Sequence, residues 1–226
     1  MAYDYQQIDI GEDERRFLLT MTRQTVLDEL LETARGMRLN IVDVVPTPVA
    51  LFNAAADVVD TDSGVTVYAD IGHAGTNVAV GLRRNLLFAR AFAVGGRLFT
   101  ETLARNRNIS AAQAGNLKIE GSNFLSPTDD EPAELTAAAD LWISEMESCL
   151  SVYRNLYTGE SLRPAKIVLT GGGAMLKGLR EYLQATFNLP TELLTDLPAR
   201  KQVDNPELFS VAAGLSSNSL SSPPAN

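Results

Sequence analysis

The sequence contains very little cysteine and histidine, which zinc sites and many covalent catalysts use. Its 226 residues include one cysteine and one histidine. The lone Cys149 excludes an intrachain disulfide and a cysteine-based metal site, and the single histidine argues further against a zinc enzyme. A serine–histidine–aspartate triad would have to use His73, and no nucleophile-elbow motif accompanies it. We therefore expect neither a zinc enzyme nor a triad hydrolase.

Basic clusters and long hydrophobic runs are also missing. The formal net charge is −9 and the sequence pI is about 4.7. A nucleic-acid footprint and a peripheral anchor on an anionic membrane are both disfavoured by that charge. No apolar run approaches the roughly 20 residues that span a bilayer. The start, "MAYDYQQIDIGEDERR", lacks the pattern of a signal peptide, so we expect a cytoplasmic protein.

What the sequence does contain is a regular alternation of strand and helix patterns. Hydrophobic residues make up 45% of the chain, which suffices for the core of one large or two small domains. Strands are predicted at 15–21, 41–45, 65–71, 77–83, 86–93 and 191–194, and a strand, glycine turn and helix between 165 and 188. Helices are predicted from the region of Thr22 or Thr25 through Met37, and at 47–55, 95–108, 109–121, 132–157 and 205–217. Hairpins mixed with strand–turn–helix units indicate an α/β fold with a mixed sheet.

The predicted helices carry two further signals. In the long helix, Trp142, Met146, Cys149 and Tyr153 fall on one face, so we expect these side chains in the core rather than in chemistry. Three hydroxyl residues are N-cap candidates: Thr22 or Thr25 for the first helix and Ser110 for the helix at 109–121.

The stretch "YADIGHAGTN", residues 68–77, ends a strand in a turn with polar side chains. Asp70 at the end of a strand projects past the sheet, where it could hold Mg²⁺ through water. Gly72 and Gly75 would let backbone N–H groups approach a phosphate, and Thr76 and Asn77 add side-chain hydrogen bonds. The alternative is a tight hairpin that needs glycine only for its backbone angles.

A second glycine turn lies in "LTGGGAMLKGL", residues 169–179. Three consecutive glycines between a strand and a helix cost backbone entropy, so stability alone does not justify them. Such a turn can lie flat against a base or ribose with a helix N-terminus nearby. The spacing matches neither a P-loop nor a dinucleotide fingerprint.

Taken together, these two turns resemble those of the actin-like ATPase superfamily: the first resembles its second phosphate loop and the other its adenosine loop. The segment "LLFARAFAVGGRLFTETLARNRNISAAQAGNLK" (86–118) is similar to the FtsA-like branch and, within it, to the PilM family of type IV pilus assembly proteins. The segments "VVPTPVALFNAA" (44–55), "LWISEMESCLSVYRNLY" (141–157) and "NPELFSVAAGLS" (205–216) resemble the same family. The resemblance extends over residues 4–217.

That resemblance implies an actin-like ATPase fold, with ribonuclease H-like mixed sheets flanked by helices. It implies a cytoplasmic adaptor of type IV pilus or type II secretion-like assembly, which docks the tail of the inner-membrane protein PilN and could also self-associate. It implies ATP and Mg²⁺ as cofactors and Asp70 as the metal-binding residue. The implied nucleotide-binding residues are Gly72, Gly75, Thr76, Asn77, Gly95, Gly96, Lys118, Gly171, Gly172 and Gly173. The implied divisions are an inserted subdomain at 1–38, a first-subdomain segment at 39–60, a second domain at 61–204, a closing helix at 205–217 that packs back on the first subdomain, and a disordered tail at 218–226.

Two departures from the family pattern affect these expectations. The superfamily begins with a strand and an Asp-x-Gly first phosphate loop, whereas "IDIGED" (8–13) follows no predicted strand and precedes acidic residues. We therefore expect the first strands and first phosphate loop to be lacking. Gly115 stands where the short helix of the family carries a ribose-contacting glutamate. Both departures predict weak nucleotide binding, or none, and at most a weak ATPase.

Other functions on the same fold stay open. An FtsA-like cell-division protein would want a C-terminal amphipathic membrane helix, and "SSNSLSSPPAN" has no basic or bulky apolar face. An ATP-dependent kinase would need a general base and a complete phosphate clamp, and neither can be assembled from this sequence. A degenerate fragment that folds with a second chain is a further alternative.

Overall fold

The fold is built on two separate β-sheets. The computed structural model describes residues 1–9, 15–56, 58–59, 64–120, 123, 125, 134–197 and 204–221. The strands are β1 (Ala2–Asp9), β2 (Arg15–Thr22), β3 (Val65–Ile71), β4 (Thr76–Leu82), β5 (Asn85–Phe92), β6 (Pro164–Thr170) and β7 (Thr191–Leu193). The helices are α1 (Gln24–Gly36), α2 (Thr47–Ala55), α3 (Gly96–Arg107), α4 (Ala111–Glu120), α5 (Thr136–Leu156), α6 (Leu179–Phe187) and α7 (Ser210–Ser221).

The larger sheet is mixed, as the sequence predicts. Its five strands run in the order β5-β4-β3-β6-β7. The three strands β3, β4 and β5 form antiparallel hairpins, whereas β6 lies parallel to β3 and β7 parallel to β6. The short connections between β3, β4 and β5 favour antiparallel pairing, and the helical connections favour parallel pairing. The C-terminal ends of β3 and β6 therefore meet at one edge of the sheet.

Helices cover both faces of this sheet because β3 is apolar on both sides. Val67, Ala69 and Ile71 pack into a cluster with α5, where Trp142 is fully buried. Tyr68 points the other way and packs with residues of α2. The closing helix α7 packs on α2. None of the described helices combines the length and hydrophobicity that crossing a bilayer requires.

The smaller sheet is a two-stranded ribbon of β1 and β2. Strand β1 is not predicted from the sequence, and it includes Ile8 and Asp9, the first two residues of "IDIGED". The ribbon alternates in side-chain direction: Ile8 is buried against the main core, and Leu18 packs against both clusters. Five large side chains of the opposite face are 54–72% exposed: Tyr3, Tyr5, Phe17, Leu19 and Met21.

Helix α1 and its flanks differ from the prediction. Arg23 is the N-cap and makes no side-chain cap bond, so neither Thr22 nor Thr25 has the predicted role. Ala34 is the one buried residue of α1. The predicted buried strand at 41–45 is wrong, because this segment pairs with no strand of the described chain and Val42 is 78% exposed. A β-branched run forms a strand only where a neighbour completes its hydrogen bonds.

Other predictions about helices are confirmed. Ser110 caps α4: its Oγ accepts from the Gln113 backbone N–H, and the Gln113 side chain accepts from the Ser110 N–H in return. The predicted apolar face of α5 is buried. Helix α7 extends to Ser221, four residues into the predicted tail at 218–226. Residues 222–226 lie outside the described chain.

Candidate functional site

The site begins with Asp70, which lies near the C-terminal end of β3. In the sheet it is paired with Asn77 of β4 on one side and Thr170 of β6 on the other. The Asn77 side-chain N–H donates to Asp70 Oδ2 at 3.2 Å. Burial raises the pKa of Asp70 above its ordinary value, and the Asn77 hydrogen bond only partly opposes that rise. A nearby cation would restore the charged form, so the position suits a metal-facing carboxylate.

The loop between β3 and β4 folds against the start of α3. Within the loop, the Gly72 N–H donates to the Gly75 carbonyl at 2.9 Å. The Gly96 and Arg97 N–H groups then donate to the Gly72 and His73 carbonyls, each at 2.8 Å. The loop therefore accepts hydrogen bonds from two of the otherwise unpaired N–H groups that begin α3, so these two N–H groups do not face an anion.

Gly95 is required by this packing. A Cβ at Gly95 would overlap the Gly72 carbonyl oxygen and would lie 2.8 Å from the Gly75 nitrogen. His73, in contrast, is exposed at the tip of the loop. The loop and the Gly95–Gly96 turn are thus one packed unit, whose backbone geometry is fixed by hydrogen bonds and by the absence of side chains.

Thr76 has a different role from the one the sequence predicts. Its side chain is 1% exposed, and its hydroxyl donates to the Val94 carbonyl at 2.7 Å. The same hydroxyl accepts a hydrogen bond from Trp142 Nε1 at 2.8 Å. Both interactions lie inside the protein. Thr76 therefore holds the two turns together, and a phosphate would have to be bound by other groups.

Lys118 joins the site from α4. Its ammonium donates to the Gly96 carbonyl at 3.0 Å and to Thr100 Oγ1 at 2.9 Å, and burial lowers its pKa. A Cβ built on Gly96 would lie 3.4 Å from Lys118 Nζ, 3.5 Å from the Gly72 oxygen and 3.9 Å from Gly173 Cα. Four of the predicted residues, distant in sequence, therefore meet around one point.

The three glycines after β6 have unequal roles. Gly171 has φ +84°, and a Cβ there would lie 2.5 Å from Asp70 Oδ1. A Cβ on Gly173 would overlap the Ile71 side chain and lie 2.8 Å from its carbonyl oxygen. Gly172 is exposed, and a Cβ there would meet only Leu208 Cδ2 at 3.9 Å. Internal packing explains the outer two glycines and leaves the middle one as a surface that a ligand could approach.

The segment before α7 fixes this glycine turn, a contact that is not predicted from the sequence. The Glu207 carbonyl accepts from the Gly171 N–H at 2.7 Å and from Thr170 Oγ1 at 2.5 Å. Thr170 Oγ1 also lies 3.0 Å from Ser210 Oγ. A buried threonine at a strand end next to a glycine run is the signal that could have indicated such an anchor.

Among the residues that the structure describes, no three histidine, cysteine or acidic side chains are grouped to hold a metal ion. A cation at Asp70 would therefore take most of its ligands from water and a bound phosphate, as Mg²⁺ commonly does. Gly115 of α4 faces open space where a glutamate is expected in the family.

A sequence profile for type IV pilus assembly protein PilM matches residues 2–213. The chain belongs to the PilM family. A curated relative of this family member is the cell division protein FtsA of Streptococcus pneumoniae serotype 2, with 24% identity over 209 residues. That match includes 85% of this chain and 45% of FtsA, so the chain spans less than half the length of that relative.

Solved structures place this PilM-family chain in the actin-like fold. A PilM–PilN type IV pilus biogenesis complex matches with a TM-score of 0.76 and 24% identity, over 98% of this chain and 67% of the other. MreB5 of Spiroplasma citri bound to ADP matches with a TM-score of 0.63 and 16% identity, over 86% and 65% of the two chains. These likenesses confirm the predicted fold class.

Proposed function

We propose that this chain is a cytoplasmic adaptor of type IV pilus assembly, which binds Mg²⁺–ATP at the site around Asp70 and docks the cytoplasmic tail of PilN. The observation that carries the nucleotide proposal is the meeting of Gly72, Gly96, Lys118 and Gly173 around one point. The ADP-bound MreB5 supports it by sharing the fold. Lys118 brings a positive charge to this place, and the three glycines leave it free of side chains.

In this proposal each group has a distinct task. Asp70 holds Mg²⁺ through water, and the metal neutralises phosphate charge when bound. Asn77 orients the Asp70 carboxylate through the 3.2 Å hydrogen bond. Lys118 contributes positive charge beside Gly96, and the exposed Gly172 backbone lies against the adenosine. We assign no general base and expect at most slow ATP hydrolysis.

The partner proposal rests on family membership and on the solved PilM–PilN complex that shares this fold. Binding the tail of an inner-membrane protein would hold the chain at the membrane without a spanning segment of its own. A division role of the FtsA type is the second candidate, favoured by the curated match. Titration with a peptide of the PilN cytoplasmic tail separates the two: saturable binding, absent for a scrambled peptide, supports the pilus role, and equal behaviour of both peptides contradicts it.

Calorimetric titration with Mg²⁺–ATP tests the nucleotide site. We expect saturable binding that weakens about tenfold or more in Asp70→Ala, because contacts to a charged group are worth ~1.5–3 kcal/mol. Glu147→Ala is the matched control, since Glu147 is an exposed acidic residue of α5 away from the turns. Absence of binding in the folded wild-type chain, or equal loss in both variants, would contradict the proposal.

A further inference from the structure

Trp142 is the single tryptophan of the chain and lies in the first half of α5. It is fully buried, and its ring meets Phe92 of β5 edge-on with centroids 6.0 Å apart. Its only polar atom, Nε1, donates to Thr76 Oγ1 at 2.8 Å. Phe92 and Thr76 are directly paired across β4 and β5. One side chain of α5 therefore contacts both strands where they leave the sheet for the two turns.

The direction of the hydrogen bonds is fixed by the chemistry of the groups. An indole N–H can only donate, so the Thr76 hydroxyl must accept from Trp142 and use its own proton elsewhere. That proton goes to the Val94 carbonyl, 2.7 Å from Thr76 Oγ1. Val94 directly precedes Gly95 and Gly96. The relay from Trp142 through Thr76 to Val94 thus links the end of the loop at 72–75 to the turn that packs on it.

We propose that Trp142 is a positioning residue for the nucleotide site: it orients the Thr76 hydroxyl and thereby sets the spacing between the loop at 72–75 and the Gly95–Gly96 turn. This inference rests on the proposed nucleotide function. Trp142 is fully buried, so it acts on the site through Thr76 and Phe92. Because the loop N–H and carbonyl groups are ordered through this relay, its loss loosens the loop without removing any ligand-facing group.

Three substitutions separate the relay from simple packing. Trp142→Phe keeps an aromatic ring and removes the donor. Thr76→Val keeps the shape and removes the hydroxyl, whereas Thr76→Ser keeps the hydroxyl and removes a methyl group. We expect Mg²⁺–ATP affinity to fall about five- to tenfold in Trp142→Phe and Thr76→Val, and to be largely restored in Thr76→Ser. The double variant Trp142→Phe/Thr76→Val should bind Mg²⁺–ATP no more weakly than Thr76→Val alone, because both changes break the same relay.

Amide hydrogen exchange tests the relay without nucleotide. Exchange of the Gly72, Gly96 and Arg97 amides should accelerate in Trp142→Phe and Thr76→Val and slow again in Thr76→Ser. The Leu194 amide, which donates to the Leu169 carbonyl at the far side of the sheet, should not change. Uniform acceleration at both places would indicate general destabilisation and would overturn the positioning role.

The outcomes for the two proposals are distinct. If the wild-type chain binds Mg²⁺–ATP and the relay variants bind equally well, the positioning role is overturned and the nucleotide site stands. If the wild-type chain binds no nucleotide, the proposed function fails; faster local exchange would then leave the relay as a device that orders the loop, and unchanged exchange would overturn it as well.

Discussion

The candidate site and the β1–β2 ribbon differ in how much of their apolar surface is buried. At the site, the turns after β3 and β6 are held by close backbone packing, buried hydroxyls and the Trp142 ring. On the ribbon, large side chains such as Tyr3 and Phe17 are more than half exposed, and α1 buries only Ala34. The first region is fixed in geometry by many contacts, whereas the second takes its strand form mainly from pairing between β1 and β2.

This difference shows that secondary structure and packing are separable properties of the chain. A ribbon with complete ladder pairing still leaves one face open, because hydrogen bonds between two strands place no neighbour above them. At the site, several glycines are needed because neighbouring backbones approach within contact distance. The same type of substitution should therefore lower the free energy of unfolding by very different amounts at the site and on the ribbon.

The largest expected effect is that of Gly173→Ala. Its new methyl group would overlap Ile71, so we expect the free energy of unfolding to fall by about 3 kcal/mol. Gly172→Ala is the matched control one residue away: it should change stability by less than ~1 kcal/mol and lower Mg²⁺–ATP affinity severalfold. Urea unfolding of both variants measures the difference. Equal stability of the two variants would remove the distinction between packed and ligand-facing glycines.

A smaller effect is expected for Asp70→Asn. Burial raises the pKa of Asp70, so the folded chain holds that proton more tightly than the unfolded chain does. The Asp70 contribution to stability is therefore full below the ordinary value of 3.8 and is lost as the pH rises through the raised value. Because asparagine cannot ionise, the variant should melt above the wild type at pH 7 without Mg²⁺.

Low pH and added Mg²⁺–ATP provide controls for the comparison of the wild type with Asp70→Asn. Near pH 3 the two chains should melt together, since Asp70 is then protonated in both states. Mg²⁺–ATP should raise the melting temperature of the wild type and leave the variant nearly unchanged, because only a ligand that binds the folded state stabilises it. A variant that melts below the wild type at pH 7 without Mg²⁺ would show that the Asp70 charge is already compensated.

The smallest effect is expected on the exposed face of the ribbon. Leu19→Ala should change the free energy of unfolding by less than ~0.5 kcal/mol, as is usual for surface positions. Ile8→Val removes fewer atoms but lies on the buried face, at 3% exposure, and should cost about 1 kcal/mol. Denaturant midpoints compare the two. A larger loss in Leu19→Ala would mean that the outer face is covered in solution.

Much of the fold follows from the sequence because local pattern and packing agree in the main sheet. In β3 to β5 each apolar run is bounded by turn residues, and both faces of β3 are buried. Strand β1 escapes prediction because Asp4, Gln6 and Gln7 interrupt its apolar pattern, and pairing with β2 makes it a strand. The segment at 41–45 is the reverse case, a predicted strand that does not form. Its composition favours a strand, but no partner strand is present among the described residues.

The site is predictable in its location and less so in its side-chain directions. Glycines beside strand ends indicate where turns meet, and the structure brings the predicted turns together. Yet Thr76 is paired with Ile71, and residues opposed in an antiparallel pair share a face. Since Ile71 faces the core with α5, Thr76 must do so too, whereas Asn77 shares the face of Asp70. The face to which Thr76 and Asn77 point could be predicted from the hairpin register. The contact of Thr76 with Trp142 could not, because it joins residues 66 positions apart.

Helix α5 contacts both the candidate site and the ribbon. It contains no glycine or proline, so it has no natural hinge between Trp142 and Leu156, which lie ~21 Å apart along the axis at 1.5 Å per residue. At the far end, Arg16 of β2 donates to the Leu156 carbonyl at 2.6 Å and stacks its guanidinium 4.7 Å from the Tyr157 ring centre. One uninterrupted helix therefore joins the loop at 72–75 to the ribbon: Trp142 donates to Thr76, and Leu156 accepts from Arg16.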